Sequence, residues 1–106
     1  MQHRHIAVID IGKTNAKLAL VDLDSLTELA VRTTPNRVLP GPPWPHFDAD
    51  ALWAFLLAGL RDLHAAHRID AIAVTTHGAA AALIAADGSL AAPILDLHGQ
   101  TQRLPQ

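Results

Sequence analysis

The sequence predicts an α/β fold, and three observations carry that prediction. Short β-branched runs open the chain, one amphipathic helical stripe fills its middle, and an apolar strand-like run follows that stripe almost at once. The first run, Ile6-Ala7-Val8-Ile9-Asp10-Ile11, is nearly continuous and suits a strand covered on both faces. Gly12 breaks it. A second run from Ala16 to Val21 ends in Asp22-Leu23-Asp24-Ser25, whose short polar side chains favour a turn, so two tightly joined strands are expected. The third run, Glu28 to Thr34, places Leu29, Val31 and Thr33 on one face and Glu28, Ala30, Arg32 and Thr34 on the other. That period of two predicts a half-exposed antiparallel strand, which completes a three-strand meander.

Pro35 and then Pro40-Gly41-Pro42-Pro43-Trp44-Pro45 continue neither a ladder nor a helix, because proline lacks the amide donor, and a stiff loop is expected. Asp48 or Asp50 then offers the N-cap of a helix reaching about Arg68. Leu52, Trp53, Leu56, Leu60 and Leu63 form its apolar stripe, with Trp53 read as core. Acidic residues open this helix, and Arg61, His64, His67 and Arg68 close it, which suits the macrodipole at both ends. Ile69 to Thr75 reads as a fourth strand of the sheet. Asp87-Gly88, set between Ala79–Ala86 and Leu90–Ile94, predicts a hairpin. Residues 97–106 read as an irregular polar tail.

With 106 residues, half of them hydrophobic, the chain fits one domain with one core and is not intrinsically disordered. Eight Lys plus Arg against ten Asp plus Glu leave no cationic excess for phosphate backbones, which argues against a nucleic-acid partner. The absence of cysteine excludes disulfides and thiol chemistry. No apolar run is long enough to span a membrane, and the N-terminus lacks the features of a secretory signal, so the cytoplasm is the default compartment.

The chemically informative segment is Asp10-Ile11-Gly12-Lys13-Thr14-Asn15-Ala16-Lys17, a polar turn between two apolar strands. Gly12 allows close backbone approach, while Lys13, Thr14 and Asn15 present a cation, a hydroxyl and an amide from one turn. Asp10, at the end of its strand, is placed to hold a hydrated Mg²⁺ that bridges phosphates. A P-loop would need glycine where Ala7 stands and a helix where a strand is expected. Taken from the residues alone, an ordinary Gly-Asn hairpin with an exposed lysine competes with the phosphate-gripping turn.

The string from Asp10 to Leu20 resembles the first phosphate motif of the FGGY carbohydrate kinases, members of the sugar kinase and actin superfamily. A second stretch, Val74-Thr75-Thr76-His77-Gly78-Ala79-Ala80 followed by Asp87-Gly88 and Pro93-Ile94-Leu95-Asp96, is similar to the segment where the family's sugar pocket begins. The helix opening from Asp48 to Trp53 is similar as well, so the resemblance spans about Ile6 to Asp96, and Thr75-Thr76-His77-Gly78 looks closest to fuculokinase- or rhamnulokinase-like members. It implies an RNase H-like, actin-like ATPase half domain over residues 1–96. It further implies that Asp10, Gly12, Lys13, Thr14 and Asn15 face ATP phosphates and magnesium, with Asp10 the metal-binding carboxylate. His77, Gly78 and Asp96 would line the sugar site. The family's aspartate base, second phosphate motif and adenosine pocket belong to a C-terminal domain absent from this sequence, so the chain alone is expected to be inactive and to self-associate through uncovered apolar surface. His98-Gly99-Gln100-Thr101-Gln102-Arg103 departs from the family pattern.

Two rival classes follow from the same residues. A glucokinase or ROK-type fragment would share Asp-x-Gly-x-Thr-Asn, but Lys13 stands where that group has a second glycine. A non-catalytic binding module suits the length but lacks a charged or aromatic partner patch. His77 could equally satisfy backbone groups at a strand end. His3 and His5 are read as a solvated end without metal, His64 and His67 as helix C-terminal residues, and Asp22 and Asp24 as a turn lacking the rest of a calcium loop. In the proline-rich loop, Trp44, His46 and Phe47 either stack on a sugar ring or cover the helix start.

Overall fold

The structure, a computed structural model, describes residues 4–78 and 80–97. Strands β1 (His5–Ile11), β2 (Asn15–Asp22) and β3 (Thr27–Pro35) form the expected antiparallel meander, with a bulge between Leu20 and Val21. At the β2–β3 turn the Asp22 carboxylate accepts the Asp24 N–H at 3.0 Å, so these aspartates shape a turn. Register places Ile9 opposite Leu18 and Ala7 opposite Leu20, which gathers the alternate residues of both strands on one face. Leu18 and Leu20 are fully buried there. Burial of each contributes about 2 kcal/mol, and these two leucines are the centre of the core.

Pro35 corrects the sequence reading, being the last residue of β3 opposite Asn15, where a strand's end asks little of its missing donor, whereas Pro40 to Pro45 form the expected loop. Its flanks, β4 (Val38–Leu39) and β5 (His46–Phe47), pair with each other, and Pro40 to Pro45 make the connection. Two-residue strands are too short to show a periodicity, so the sequence carried no signal for them.

Helix α1 (Ala49–His67) begins at Asp48, whose carboxylate accepts the Ala51 N–H at 3.2 Å. It ends at Arg68, a non-glycine residue at φ 65°, held by its N–H on the His64 carbonyl at 2.9 Å, while His64 Nδ1 accepts from Ile69 N–H at 2.9 Å. Leu56 and Leu63 are buried, and Leu52 and Leu60 pack beside them against the sheet. Trp53 corrects the sequence reading: it is 63% exposed. A helix turns about 100° per residue, so position 53 sits beside the Leu52-Leu56-Leu63 stripe instead of within it. The close approach of α1 to β2 depends on Gly59, which is buried and whose added Cβ would lie 2.6 Å from Leu18 Cδ2.

Strand β6 (Ala71–Thr76) joins β1 in parallel, giving the order β3-β2-β1-β6. Asp70 fixes this junction by accepting the N–H groups of Arg4 at 3.1 Å and His5 at 2.9 Å. The His5 amide bond, above all, holds the Asp70 carboxyl below its ordinary range, with the Arg4 amide and the Arg68 charge assisting against desolvation. Helix α1 lies over β2 and β3. It therefore leaves Ile72 and Val74, which register with Ala7 and Ile9, 56% and 63% exposed. The expectation that β1 is covered on both faces is corrected too: Ile6 and Val8, off the helix side, are only half-buried.

Strands β7 (Ala80–Ala81) and β8 (Leu95–Asp96) complete a second sheet ordered β4-β5-β8-β7. The expected hairpin is present between them, with an Ile84–Leu90 bridge. At its tip the Asp87 carboxylate accepts from Ser89 N–H and Oγ–H, which lowers the Asp87 pKa, and Gly88 takes φ 88°. His3, Ala79 and the tail from residue 98 onward, including His98 to Arg103, lie outside the described residues.

Candidate functional site

Parallel pairing of β1 with β6 sends both strands out of the sheet at the same edge, and their C-terminal ends carry the polar residues singled out above. The His77 N–H donates to the Ile11 carbonyl at 2.9 Å, which ties the two exits together. Asp10, Gly12, Lys13, Thr14 and Asn15 therefore share an edge with His77 and Gly78. Open α/β sheets place ligands at the carboxyl ends of parallel strands, and this edge has that geometry.

The turn between β1 and β2 is closed by the Gly12 N–H on the Asn15 carbonyl at 2.8 Å. A Cβ on Gly12 would stand 3.0 Å from that same carbonyl oxygen, so a side chain there would push the turn open by a few tenths of an ångström. Asn15 Nδ2 donates to Thr14 Oγ1 at 3.2 Å. Lys13, Thr14 and Asn15 are exposed, as is Asp10, whose strand neighbours by register are Lys17 and Thr75. The salt bridges among the described residues include neither Asp10 nor Lys13. One turn thus offers an uncommitted carboxylate, an uncommitted ammonium and a hydroxyl.

Among the described residues no group of three or more His, Cys, Asp or Glu is placed to hold a metal ion. A single exposed carboxylate still fits Mg²⁺ of the nucleotide-bound kind, which keeps most of its waters and takes one or two protein carboxylates along with phosphate oxygens. Zinc- or calcium-type cages do not fit here.

His77 is half-buried and meets Phe47 of β5 edge-on, with ring centroids 5.4 Å apart and planes at 64°. Phe47 is buried in β5 of the second sheet. Asp96 belongs to the strand next to β5, which carries Phe47. It is buried in β8 opposite Ala80, with its N–H on the Pro45 carbonyl at 3.3 Å. Trp44 Nε1–H donates to the Pro93 carbonyl at 3.3 Å, and His46 Nδ1 lies 2.7 Å from the Trp44 carbonyl, so both serve the second sheet. A cleft of about 380 Å³ opens there between His46–Asp50 and Leu90–Ile94.

One residue at the turn was absent from the sequence reading. Asn36, only 7% exposed, donates Nδ2–H to the Gly12 carbonyl at 2.9 Å and its backbone N–H to the Thr14 carbonyl at 2.9 Å. Among the described residues its Oδ1 is buried without a partner. The signal was available in principle, because a meander puts the end of the third strand beside the start of the second, and Pro35 registers with Asn15.

The fold defines the class. The mixed arrangement of strand meander and helix matches the carbohydrate kinase, or actin-like ATPase, fold. A carbohydrate kinase from Novosphingobium aromaticivorans superposes with TM-score 0.75 at 33% identity, covering 99% of this chain and 24% of that one. Gluconate kinase from Lactobacillus acidophilus gives 0.73 at 16% identity over 95% of this chain and 22% of that chain. A ligand-bound xylulose kinase from the same organism gives 0.72 at 16% identity, over 93% and 21% respectively. These structural neighbours, together with the motifs, are consistent with a fragment of an FGGY-family sugar kinase. The chain spans about a quarter of the length of the structures it matches. No family model and no curated protein matches it.

Proposed function

We propose that this chain is the part of an ATP-dependent sugar kinase that grips the nucleotide's phosphates and begins the sugar pocket. The observation that carries this reading is the convergence of the Gly12–Asn15 turn and the His77-Gly78 exit on one sheet edge, joined by the His77–Ile11 hydrogen bond. Lys13 pairs with phosphate oxygens, and the Thr14 hydroxyl and Asn15 amide hydrogen-bond them. Asp10 would hold Mg²⁺, which neutralises phosphate charge when bound. His77 and Gly78 face the sugar, and Asp96 supports that pocket from the second sheet.

Residues 1–96 form this unit in the proposal, and the general base and the adenosine pocket come from elsewhere in the complete enzyme. A half-clamp positions neither the γ-phosphate nor an acceptor hydroxyl, so the chain alone turns over no sugar. Titrating the ¹⁵N-labelled chain with Mg·ATP tests the reading. Saturable amide shifts confined to Lys13, Thr14, Asn15 and their neighbours are expected, with no ADP formed when a panel of sugars is added. Shifts that avoid the turn at millimolar nucleotide refute the phosphate assignment, and measurable phosphorylation refutes the inactivity.

A further inference from the structure

We propose that Asn36 is a positioning residue that sets the orientation of the phosphate-facing turn; this rests on the phosphate reading above. Two bonds from one residue clamp two carbonyls of that turn, Nδ2–H on Gly12 and the backbone N–H on Thr14, each at 2.9 Å. In a planar trans peptide the carbonyl and the following N–H point to opposite sides. Holding the Gly12 and Thr14 oxygens toward Asn36 therefore turns the Lys13 and Asn15 N–H groups away from it. The planes on either side of the turn's tip are thus held by one residue outside the turn, the Gly12–Lys13 plane by its side chain and the Thr14–Asn15 plane by its main chain.

The two bonds are not equivalent. The Thr14 bond uses the main chain, prolongs the β2–β3 ladder and survives most substitutions at position 36. The Gly12 bond needs a side-chain donor of asparagine's length. Alanine is too short for it, and an ionised aspartate has no proton to give. The Oδ1 atom points to the same conclusion, since it is buried with no partner among the described residues. An apolar side chain in this place would leave no acceptor unmet, so packing alone does not account for the amide. What the amide adds is the bond to Gly12.

The test uses Mg²⁺-tripolyphosphate and the ¹⁵N-labelled chain, comparing wild type with Asn36→Ala and Asn36→Asp at neutral and mildly acidic pH. In wild type the probe shifts Lys13, Thr14 and Asn15. Asn36→Ala is expected to weaken binding about tenfold, the scale of one hydrogen bond, while amides of α1 and β6 keep their positions. Asn36→Asp is expected to bind as weakly at neutral pH and to recover toward wild type in acid, where the buried carboxyl is protonated and donates to the Gly12 carbonyl. The ratio to wild type at each pH removes pH effects common to both chains, those on the probe and on the charged groups around the turn, Asp10, Lys13, Asp48 and His77, included. A residue serving the fold alone would lower stability without that recovery. Equal affinity in wild type and Asn36→Ala overturns the proposal and leaves the phosphate reading intact. If Asn36→Ala does not fold, an Asn36→Asp ratio that stays constant with pH overturns it. Failure of wild type to bind at the turn removes the phosphate reading and this proposal together.

Discussion

Gly59→Ala pits helix propensity against core space. In an exposed helix, alanine in place of glycine stabilises by about 1 kcal/mol. Here the new methyl would stand 2.6 Å from Leu18 Cδ2 and 3.7 Å from Arg32 Cδ. Leu18 is the fully buried centre of the core, with Ala7, Leu20 and Leu56 in the same cluster, so it has no open volume to turn into. Overpacking of this kind costs about 1–3 kcal/mol. The net expectation is a loss of about 1 kcal/mol, read in urea unfolding as a midpoint lowered by about 0.5–1 M for a chain of this size. Leu18→Val removes the offending Cδ atoms, and in that background Gly59→Ala is expected to change sign and raise the midpoint. A midpoint that rises in both backgrounds would show that Leu18 steps aside freely and that Gly59 does not set the helix-to-sheet distance.

Three other outcomes follow. Asp48→Ala removes the side-chain acceptor of the Ala51 N–H and is expected to cost about 1 kcal/mol in thermal or urea unfolding, with Asp48→Asn recovering most of it. The Asp70 carboxyl is held low in the folded chain, so its stabilising contribution is present above the unfolded value of about 3.9 and is lost as pH falls through the lower folded value. Acid unfolding followed by circular dichroism should therefore show a shallower pH dependence in that window for Asp70→Asn, and an unchanged slope would rule out this linkage. Ile72 and Val74 leave apolar surface uncovered, so sedimentation velocity is expected to show concentration-dependent association that Val74→Lys reduces.

The meander and helix were legible because each long element carries its own periodicity and stop signal. Asp48 and Asp50 both offered a cap, of which Asp48 is the one used, and the gap from Arg68 to Ala71 left room for little but a direct entry into the next strand. Trp53 misled because a single large apolar side chain next to a stripe looks like part of it, and only the direction of the helix axis over β2 and β3 shows otherwise. The uncovered face of β6 was likewise invisible, since sequence reports that Ile72 and Val74 are apolar and not what lies above them. At the site, Gly12 to Asn15 stood out as contiguous polar residues between strands. Asn36 did not, because its importance comes from lying across two backbone carbonyls a long way up the chain, and a lone asparagine after a proline reads as loop.

The register of β1 also favours an order of assembly. Its antiparallel neighbour is only a few residues away, whereas its parallel neighbour arrives after the whole helix, with the Asp70 clasp reaching back 65 residues to His5. Loop-closure entropy grows with the length enclosed, so the Gly12–Asn15 bend can form while the His77 end is still unplaced. One half of the proposed binding edge is thus local, and the other is contingent on the helix having docked.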